Sequence, residues 1–436
     1  MVIPAAAGAD VLVVGGGMAG TIAALAARDA GARVVLVRRA PGATALSSGA
    51  IGVAPDLLAL PGEPFSSALG PVEAARRIAR LRPDHPYAVL GPQLEALTAA
   101  LDFASRALAP LLAPPLDRPR FLATPFGTAV PAALCQRSQA GGDLAAVEGT
   151  LVVAGLRGHA GFDAAQVGKG LERQRARGGP AVIAVEADPG LAGLALLRPH
   201  ELARALEAPG AAEALGASIR AALPAGAGAV LAPPVLGLDP RARVPERVAA
   251  AAGLPVAETL SDVPSVPGLR LQAALDAALR AAGVELVQGT VEDASGPGAP
   301  ATVGGARITA ARWVLATGRF VGGGIARRGT LRETTLGLPV QAAEGREAGI
   351  DLAARPAASL TLRARTGPQP LLSAGVGIDA GLRPLDAGGR PAAEGLFAAG
   401  AVVGGHEQAS DGTGLGVAIL TGWLAGRAAA RAGEGG

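Results

Sequence analysis

A short apolar run, Asp10-Val-Leu-Val-Val14, stops at three consecutive glycines, and Gly15, Gly17 and Gly20 then fall in the spacing G-x-G-x-x-G. Positions 18–30 are alanine-rich, lack proline and end before Gly31, while 33–37 is a second apolar run. Buried strand, glycine turn, helix and second strand make a βαβ unit. The first glycine permits the tight turn, the second lets backbone approach a phosphate, and the third lets the helix pack on the strand. The helix, opened by Met18 and Ala19, points unpaired N–H groups and a partial positive charge at that phosphate. The unit predicts an α/β fold that binds a nucleotide or flavin phosphate.

The chain has 436 residues, enough for two or three domains, and 39 basic against 36 acidic residues give a net charge of +3. Half the residues are hydrophobic and 17% are charged, which excludes a highly charged disordered chain despite 64 glycines and 35 prolines. Lys169 is the only lysine, the other basic residues being arginines scattered along the chain. With aromatics at 2%, a stacking surface for single-stranded nucleic acid is not expected. Cys135 is alone, so an intrachain disulfide, a zinc–thiolate site and a cysteine-held iron–sulfur cluster are all excluded, and no metal site is expected. No basic n-region precedes the first apolar run, and every long apolar stretch is interrupted by glycine, proline or charge. The expectation is a cytoplasmic protein without a transmembrane segment, with peripheral attachment to the inner face of the cell membrane left open.

Further along, 120–264 alternates proline-rich pieces such as Pro233-Pro234 with helical stretches at 201–206 and 211–223. It reads as an inserted middle or cap domain. The flanking segments, 1–119 and 265–436, read as the two parts of a discontinuous Rossmann-like domain. In the second part, 269–282 is helical and 284–287 is a strand. Segments 301–303 and 307–309 flank Gly304-Gly305 as a hairpin, Trp313-Val-Leu-Ala316 is a buried strand, and a helix runs from about 414 to 430.

The residue ending the second strand is commonly an acid that binds ribose hydroxyls. Here it is Arg38, followed by Arg39. An extra phosphate, a cofactor without an adenosine ribose, and a solvated basic strand end are all compatible with that pair. Ala316-Thr317-Gly318 closes a buried strand. Gly395-Leu-Phe-Ala-Ala-Gly400 precedes Gly412-Thr413-Gly414-Leu415-Gly416 and the last helix. Three glycine-bearing strand ends in this order resemble the two-dinucleotide-binding-domain flavoproteins, which places FAD among the expected cofactors. The resemblance implies that the Ala316–Gly318 turn passes close to the flavin and that the last helix aims its N-terminus at the ring. Ala401 stands where such proteins often carry an acid.

Six segments give a closer resemblance: 44–51, 124–128, 232–239, 264–271, 316–324 and 332–340. In order along the chain, they resemble the B-type subunit family of anaerobic glycerol-3-phosphate dehydrogenase, within the succinate dehydrogenase-like superfamily. The resemblance implies a flavin-binding subunit, with FMN as the family's assigned flavin. It also implies a separate FAD-bearing catalytic subunit and an iron–sulfur membrane-anchoring subunit that delivers electrons to quinone. Ser47, Ser48 and Gly49 would run beside the flavin, and Val291, just beyond the 284–287 strand, joins the cofactor-binding set. Gly405-His406-Glu407 departs from the expected aromatic-then-acid loop, which leaves the substrate open. Whether the chain oxidises substrate or relays electrons is also open. The alternatives are a stand-alone FAD dehydrogenase of another small hydroxy or carboxylic acid, a non-catalytic scaffold, and an NADP enzyme.

A dehydrogenase of this kind needs a base for the departing hydroxyl proton. Among His85, His159, His200 and His406, the last precedes the helix expected to face the flavin and is the best candidate. Its competing role is that of a loop histidine satisfied by backbone. His85, in Pro83-Asp-His-Pro86, reads as part of a turn. Arg319 and Arg332 could fork onto a phosphate or carboxylate of the substrate, whereas Arg327-Arg328 reads as a solvated loop. Lys169, Arg173, Arg175 and Arg177 read as a solvated basic helix face, and Cys135 as a small buried residue.

Overall fold

The computed structural model describes residues 8–54, 63–191, 193, 196–328, 330–341, 369–407 and 411–431. Strand β1 (Gly8–Val14) leads through the glycine turn into α1 (Met18–Asp29) and β2 (Val34–Arg38). Gly31 ends α1 at φ 89°, a left-handed conformation that glycine adopts without Cβ strain. A short helix, α2 (Pro86–Leu90), begins directly after His85. Four strands then follow: β3 (Thr150–Leu156), β4 (Ala181–Ala187), β5 (Ala227–Ala232) and β6 (Val256–Glu258). After them come α3 (Val266–Ala281), β7 (Glu285–Gln288), β8 (Val291–Asp293), β9 (Pro300–Val303) and β10 (Ala306–Leu315). A hairpin of β11 (Ile325–Arg328) and β12 (Thr330–Glu333), then β13 (Leu396–Ala398) and α4 (Gly414–Arg431), complete the order used below.

The chain is an α/β protein, and among its described residues two sheets are larger than a strand pair. The larger has seven strands in the order β8-β9-β10-β1-β2-β7, with β13 also paired to β10. Strands β1, β2, β7, β10 and β13 run parallel, so their carboxyl ends share one edge. In doubly wound sheets ligands bind along that edge. The smaller sheet, β4-β3-β5-β6, is parallel throughout and lies between the two stretches that build the larger one. This is the Rossmann-like architecture with an inserted unit. The inserted parallel sheet itself had no clear sequence signature, because its strands carry alanine and valine in patterns that also suit short helices.

One expectation is corrected at β10. The hairpin strand at 307–309 and the buried strand at 313–316 are a single ten-residue strand. Its first half pairs antiparallel with β9 and its second half parallel with β13, while β1 lies along the other side. Its alternating amino-terminal half and continuously apolar carboxyl half read as two strands because the burial on its two faces changes midway. Helix α4 packs on α1 through glycines. A Cβ on Gly422 would stand 2.5 Å from the Ala19 carbonyl, and one on Gly426 would stand 2.2 Å from that of Ala23. Small residues on both helices thus bring the C-terminal helix against the glycine-turn helix, so two distant chain segments share one end of the sheet.

Candidate functional site

At the carboxyl end of β1 the turn is held by backbone. The Gly15 N–H donates to the Val37 carbonyl at 2.8 Å, and the Ala316 N–H donates to the Val14 carbonyl at 2.8 Å. Gly15 has φ 121°, and a Cβ there would lie 2.1 Å from the Ala316 oxygen; a Cβ on Gly20 would lie 1.9 Å from the Gly15 oxygen. Both glycines are therefore required by packing of the turn itself. Gly17 differs. It caps α1 in ordinary extended conformation at φ −82° with no side-chain cap, and a Cβ there would meet only Thr44 Oγ1, at 3.2 Å. That hydroxyl accepts the Met18 N–H at 3.0 Å. Thr44 is a site residue that motif spacing did not single out, although it opens one of the segments that carry the resemblance.

Arg38 requires a correction. It is neither a solvated strand end nor a free phosphate fork, because its guanidinium makes a two-pronged ion pair with Asp276 on α3, and its side chain is only 15% exposed. Arg39 is exposed; its guanidinium lies 3.2 Å from where a Cβ on Gly323 would stand, and its carbonyl accepts the Gln288 side chain. Beyond β2, Ser47 and Ser48 are tied down by carbonyls. Ser47 accepts Ser265 Oγ–H at 2.5 Å, and Ser48 accepts Gln139 Nε2–H at 3.1 Å. Gly49, at φ 96°, lies against Pro267. This segment therefore runs along the start of α3. Val291, on β8, pairs with Val303 of β9, two residues after Gly289, whose N–H donates to the Arg38 carbonyl at 2.9 Å.

The Ala316–Gly318 turn and the loop before α4 are joined by Arg319. Its Nη2 donates to the carbonyls of Val403 at 3.1 Å and His406 at 3.0 Å, and its Nη1 donates to that of Leu372. Desolvation lowers this guanidinium to about 10, opposed by the carboxylates of Glu407 and Asp411. His406 is 1% exposed, and burial, followed by the charge of Arg319, drives its imidazole well below 6.5. Its Nδ1 is buried with no hydrogen-bond partner, so the backbone-satisfied role leaves that atom unexplained.

His85 is the histidine that sequence spacing undervalued. It is fully buried and caps α2, its Nδ1 accepting the Tyr87 N–H at 3.1 Å. The Nε2 of the neutral ring therefore carries the proton, toward Thr413 Oγ1 at 3.4 Å. The ring packs edge-on to His406 with centroids 5.9 Å apart, and burial lowers its pKa to about 3. Arg82 donates to the Gly405 carbonyl at 3.1 Å and pairs with Asp411. Beside this cluster lies a cavity of about 240 Å³ lined by Asp84, Pro86, Gln341, Leu385, Gly404 and Gly405. Behind Thr413, the Gly416 N–H donates to the Gly52 carbonyl at 3.1 Å, and the Gly400 N–H donates to Thr421 Oγ1 at 2.9 Å. Gly412, at φ 61°, with Gly414 and Leu415 completes this approach to α4.

The remaining candidates lie apart from these contacts. Arg332 is exposed on β12 and donates to Thr330 Oγ1 at 3.2 Å. Arg327 lies in β11 rather than in a loop, while the Arg328 side chain is outside the described residues. The basic run is not wholly solvated either. Arg177 lies over the Phe65 ring at 4.6 Å and donates to the Glu63 carbonyl at 2.9 Å. Cys135 is buried, and burial pushes its thiol up to about 12.

The residues fit a flavin dinucleotide at both ends. The phosphate end offers the start of α1, where Gly17 contributes no capping side chain and the Met18 N–H is held by the Thr44 hydroxyl. For the ring end, Ser47 Oγ and His406 Nδ1 are buried with no hydrogen-bond partner in the protein and are available to a ligand, whereas the Thr317 hydroxyl meets the Glu333 carboxylate. Among the described residues no group of three His, Cys, Asp or Glu side chains could hold a metal ion, and no helix is long and apolar enough to cross a membrane.

A parallel sheet with a glycine turn under α1, a second turn touching it from β10 and a late helix packed on α1 defines a flavin-binding oxidoreductase fold. In agreement, a family model described as FAD binding domain matches residues 10–417. A probable B-type subunit of anaerobic glycerol-3-phosphate dehydrogenase from Halobacterium salinarum is 32% identical, covering 97% of this chain and 98% of its own. The corresponding anaerobic glycerol-3-phosphate dehydrogenase subunits from Pectobacterium atrosepticum and Yersinia enterocolitica are 30% and 28% identical, each over 94% of this chain and 96% of their own. The chain belongs to the FAD-binding family and, within it, to the B-type subunits of anaerobic glycerol-3-phosphate dehydrogenases. It is accordingly a flavin-dependent dehydrogenase with FAD as its cofactor, and the relatives' designation as subunits marks them as parts of multi-subunit enzymes.

Proposed function

We propose that this chain is one of the flavin-bearing subunits of a respiratory complex that oxidises glycerol 3-phosphate to dihydroxyacetone phosphate, with electrons leaving through partner iron–sulfur centres to quinone. The observation that carries this reading is the end-to-end similarity to the Halobacterium protein, 97% of one chain against 98% of the other. A lone cysteine agrees with clusters residing on a partner. A catalytic FAD subunit and an iron–sulfur membrane-anchoring subunit are the proposed partners, with this chain peripheral on the cytoplasmic side of the membrane. Residues 1–119 and 265–436 form the proposed flavin domain and 120–264 the cap, in keeping with the separate apolar core around β3 and β5.

Bound FAD would supply the two-electron acceptor at this site. Gly17, Met18, Ala19 and Thr44 are assigned to its phosphates, and Ser47, Thr317 and Thr413 to its ring end. His406, neutral and with a free Nδ1, is assigned to accept the hydroxyl proton. Arg319 keeps His406 in place through its carbonyl. The purified full chain, mixed anaerobically with glycerol 3-phosphate, tests this by loss of flavin absorbance near 450 nm. Bleaching by the chain alone identifies direct oxidation, and bleaching only with the partner subunits identifies relay. Absence of bleaching in the complete complex overturns the reading. A stand-alone FAD dehydrogenase of another small hydroxy or carboxylic acid is the second reading, favoured by the Gly405-His406-Glu407 loop, and bleaching by such an acid in place of glycerol 3-phosphate would establish it.

A further inference from the structure

At the carboxyl end of β2 a dinucleotide-binding fold commonly presents a carboxylate to the adenosine ribose. In this chain that position is Arg38, and a carboxylate reaches it from another element. Asp276 on α3 receives both terminal nitrogens of Arg38, one of them at 2.9 Å. One helical turn earlier, Gln272 donates its Nε2–H to Asp276 Oδ1 at 2.8 Å and to the Gly16 carbonyl at 3.2 Å. The i, i+4 spacing sets the two side chains on one face of α3, toward the glycine turn. The Arg38 side chain lies across that turn, with its Cδ 2.5 Å from where a Cβ on Gly16 would stand.

Gln272 is only 5% exposed, yet its Oε1 is buried with no hydrogen-bond donor. The amide cannot simply be turned over, because its oxygen would then face the Gly16 carbonyl and the Asp276 carboxylate, both acceptors. A buried acceptor left unpaired is costly, and a hydrogen-bond donor such as a hydroxyl would satisfy it. Asp276 retains lone pairs beyond those used by Arg38 and Gln272.

We propose that Gln272 and Asp276 form the ribose-hydroxyl site for bound FAD, supplying from α3 the acceptors that the end of β2 has given up to Arg38. Arg38 is the positioning residue: it fixes the carboxylate and cancels its charge. A ribose carrying an extra phosphate would set negative charge against Asp276, whose cation Arg38 is already paired, so the site takes a ribose with free hydroxyls. The inference rests on the assignment of FAD as cofactor.

The experiment uses the full chain stripped of flavin and titrated separately with FAD and FMN, followed by flavin fluorescence. Wild type, Asp276→Asn and Gln272→Met are compared after their unfolding temperatures have been measured. Each substitution is expected to raise the FAD dissociation constant about tenfold or more. FMN binding should be unchanged, because FMN has no adenosine ribose. Unchanged FAD affinity in a folded variant, equal weakening of FAD and FMN, or a wild type that takes FMN but not FAD overturns the ribose assignment. Should Asp276→Asn fail to fold, Gln272→Met decides. A wild-type chain that takes neither flavin overturns the cofactor assignment beneath it.

Discussion

Arg270 and Glu258 form a buried ion pair joining α3 to β6, with Nη1 and Nη2 at 2.6 and 2.8 Å from the two carboxylate oxygens. Their side chains are 4% and 0% exposed, and Arg270 also donates Nε–H to the Gly237 carbonyl at 2.6 Å. The pair links the helix that flanks the glycine turn to the smaller sheet. Removing one partner strands a buried charge, which costs about 3–5 kcal/mol. Arg270→Met is expected to lose that much in urea unfolding, and the double substitution with Glu258→Leu to regain most of it. A single variant as stable as wild type would contradict the seam described here.

The glycines of the turn should separate by phenotype. Gly20→Ala places a Cβ 1.9 Å from the Gly15 carbonyl and should destabilise by about 1–3 kcal/mol or prevent folding. Gly17→Val meets only the Thr44 hydroxyl in a conformation open to any residue, so it should fold. Its branched side chain would nonetheless screen the start of α1 from a phosphate. Far-ultraviolet circular dichroism and the ratio of flavin to protein absorbance distinguish the two; full flavin retention by Gly17→Val would refute the phosphate assignment.

Two buried histidines should make the protein acid-sensitive. His85 and His406 are neutral when folded, with pKa values pushed below the ordinary 6.5 chiefly by burial. The unfolded chain takes up protons at these side chains as pH falls through 6.5, whereas the folded chain resists until about 3 at His85. Stability is therefore whole above that range and declines below it, by up to about 1.4 kcal/mol per pH unit for each histidine. His85→Gln should flatten the dependence between pH 6 and 5 relative to wild type. An unaltered slope in the folded variant would show that His85 is protonated in the native state.

Cys135 should be inert. Its thiol is buried and held near 12, so almost no thiolate is present at neutral pH. Maleimide labelling should be negligible in the native protein and complete in denaturant; rapid native labelling would mean that the core around Leu122 and Leu260 opens readily.

Local signals carried much of the fold. The βαβ unit was legible because glycine spacing, alanine content and an uninterrupted apolar run all act within a few residues of one another. The helix at 414–430 was legible for the same reason, and the structure places it at Gly414–Arg431. The four-stranded sheet was not, since short alanine-rich strands have no period that separates them from helices. His85 resembled a proline-flanked turn residue because the partner that gives it meaning, Thr413, is 328 positions away.

By itself, then, the sequence determined the class of the protein: a nucleotide-binding α/β chain with three glycine-marked reversals in flavoprotein order, since such turns depend on local backbone sterics. Only the tertiary structure decided which side chains face those reversals. Arg38 meets Asp276 across 238 residues, and Arg319 reaches the His406 carbonyl across 87. Charge pairing and burial are properties of neighbours in space, and the neighbours were chosen by the packing of α3 and α4 against the sheet.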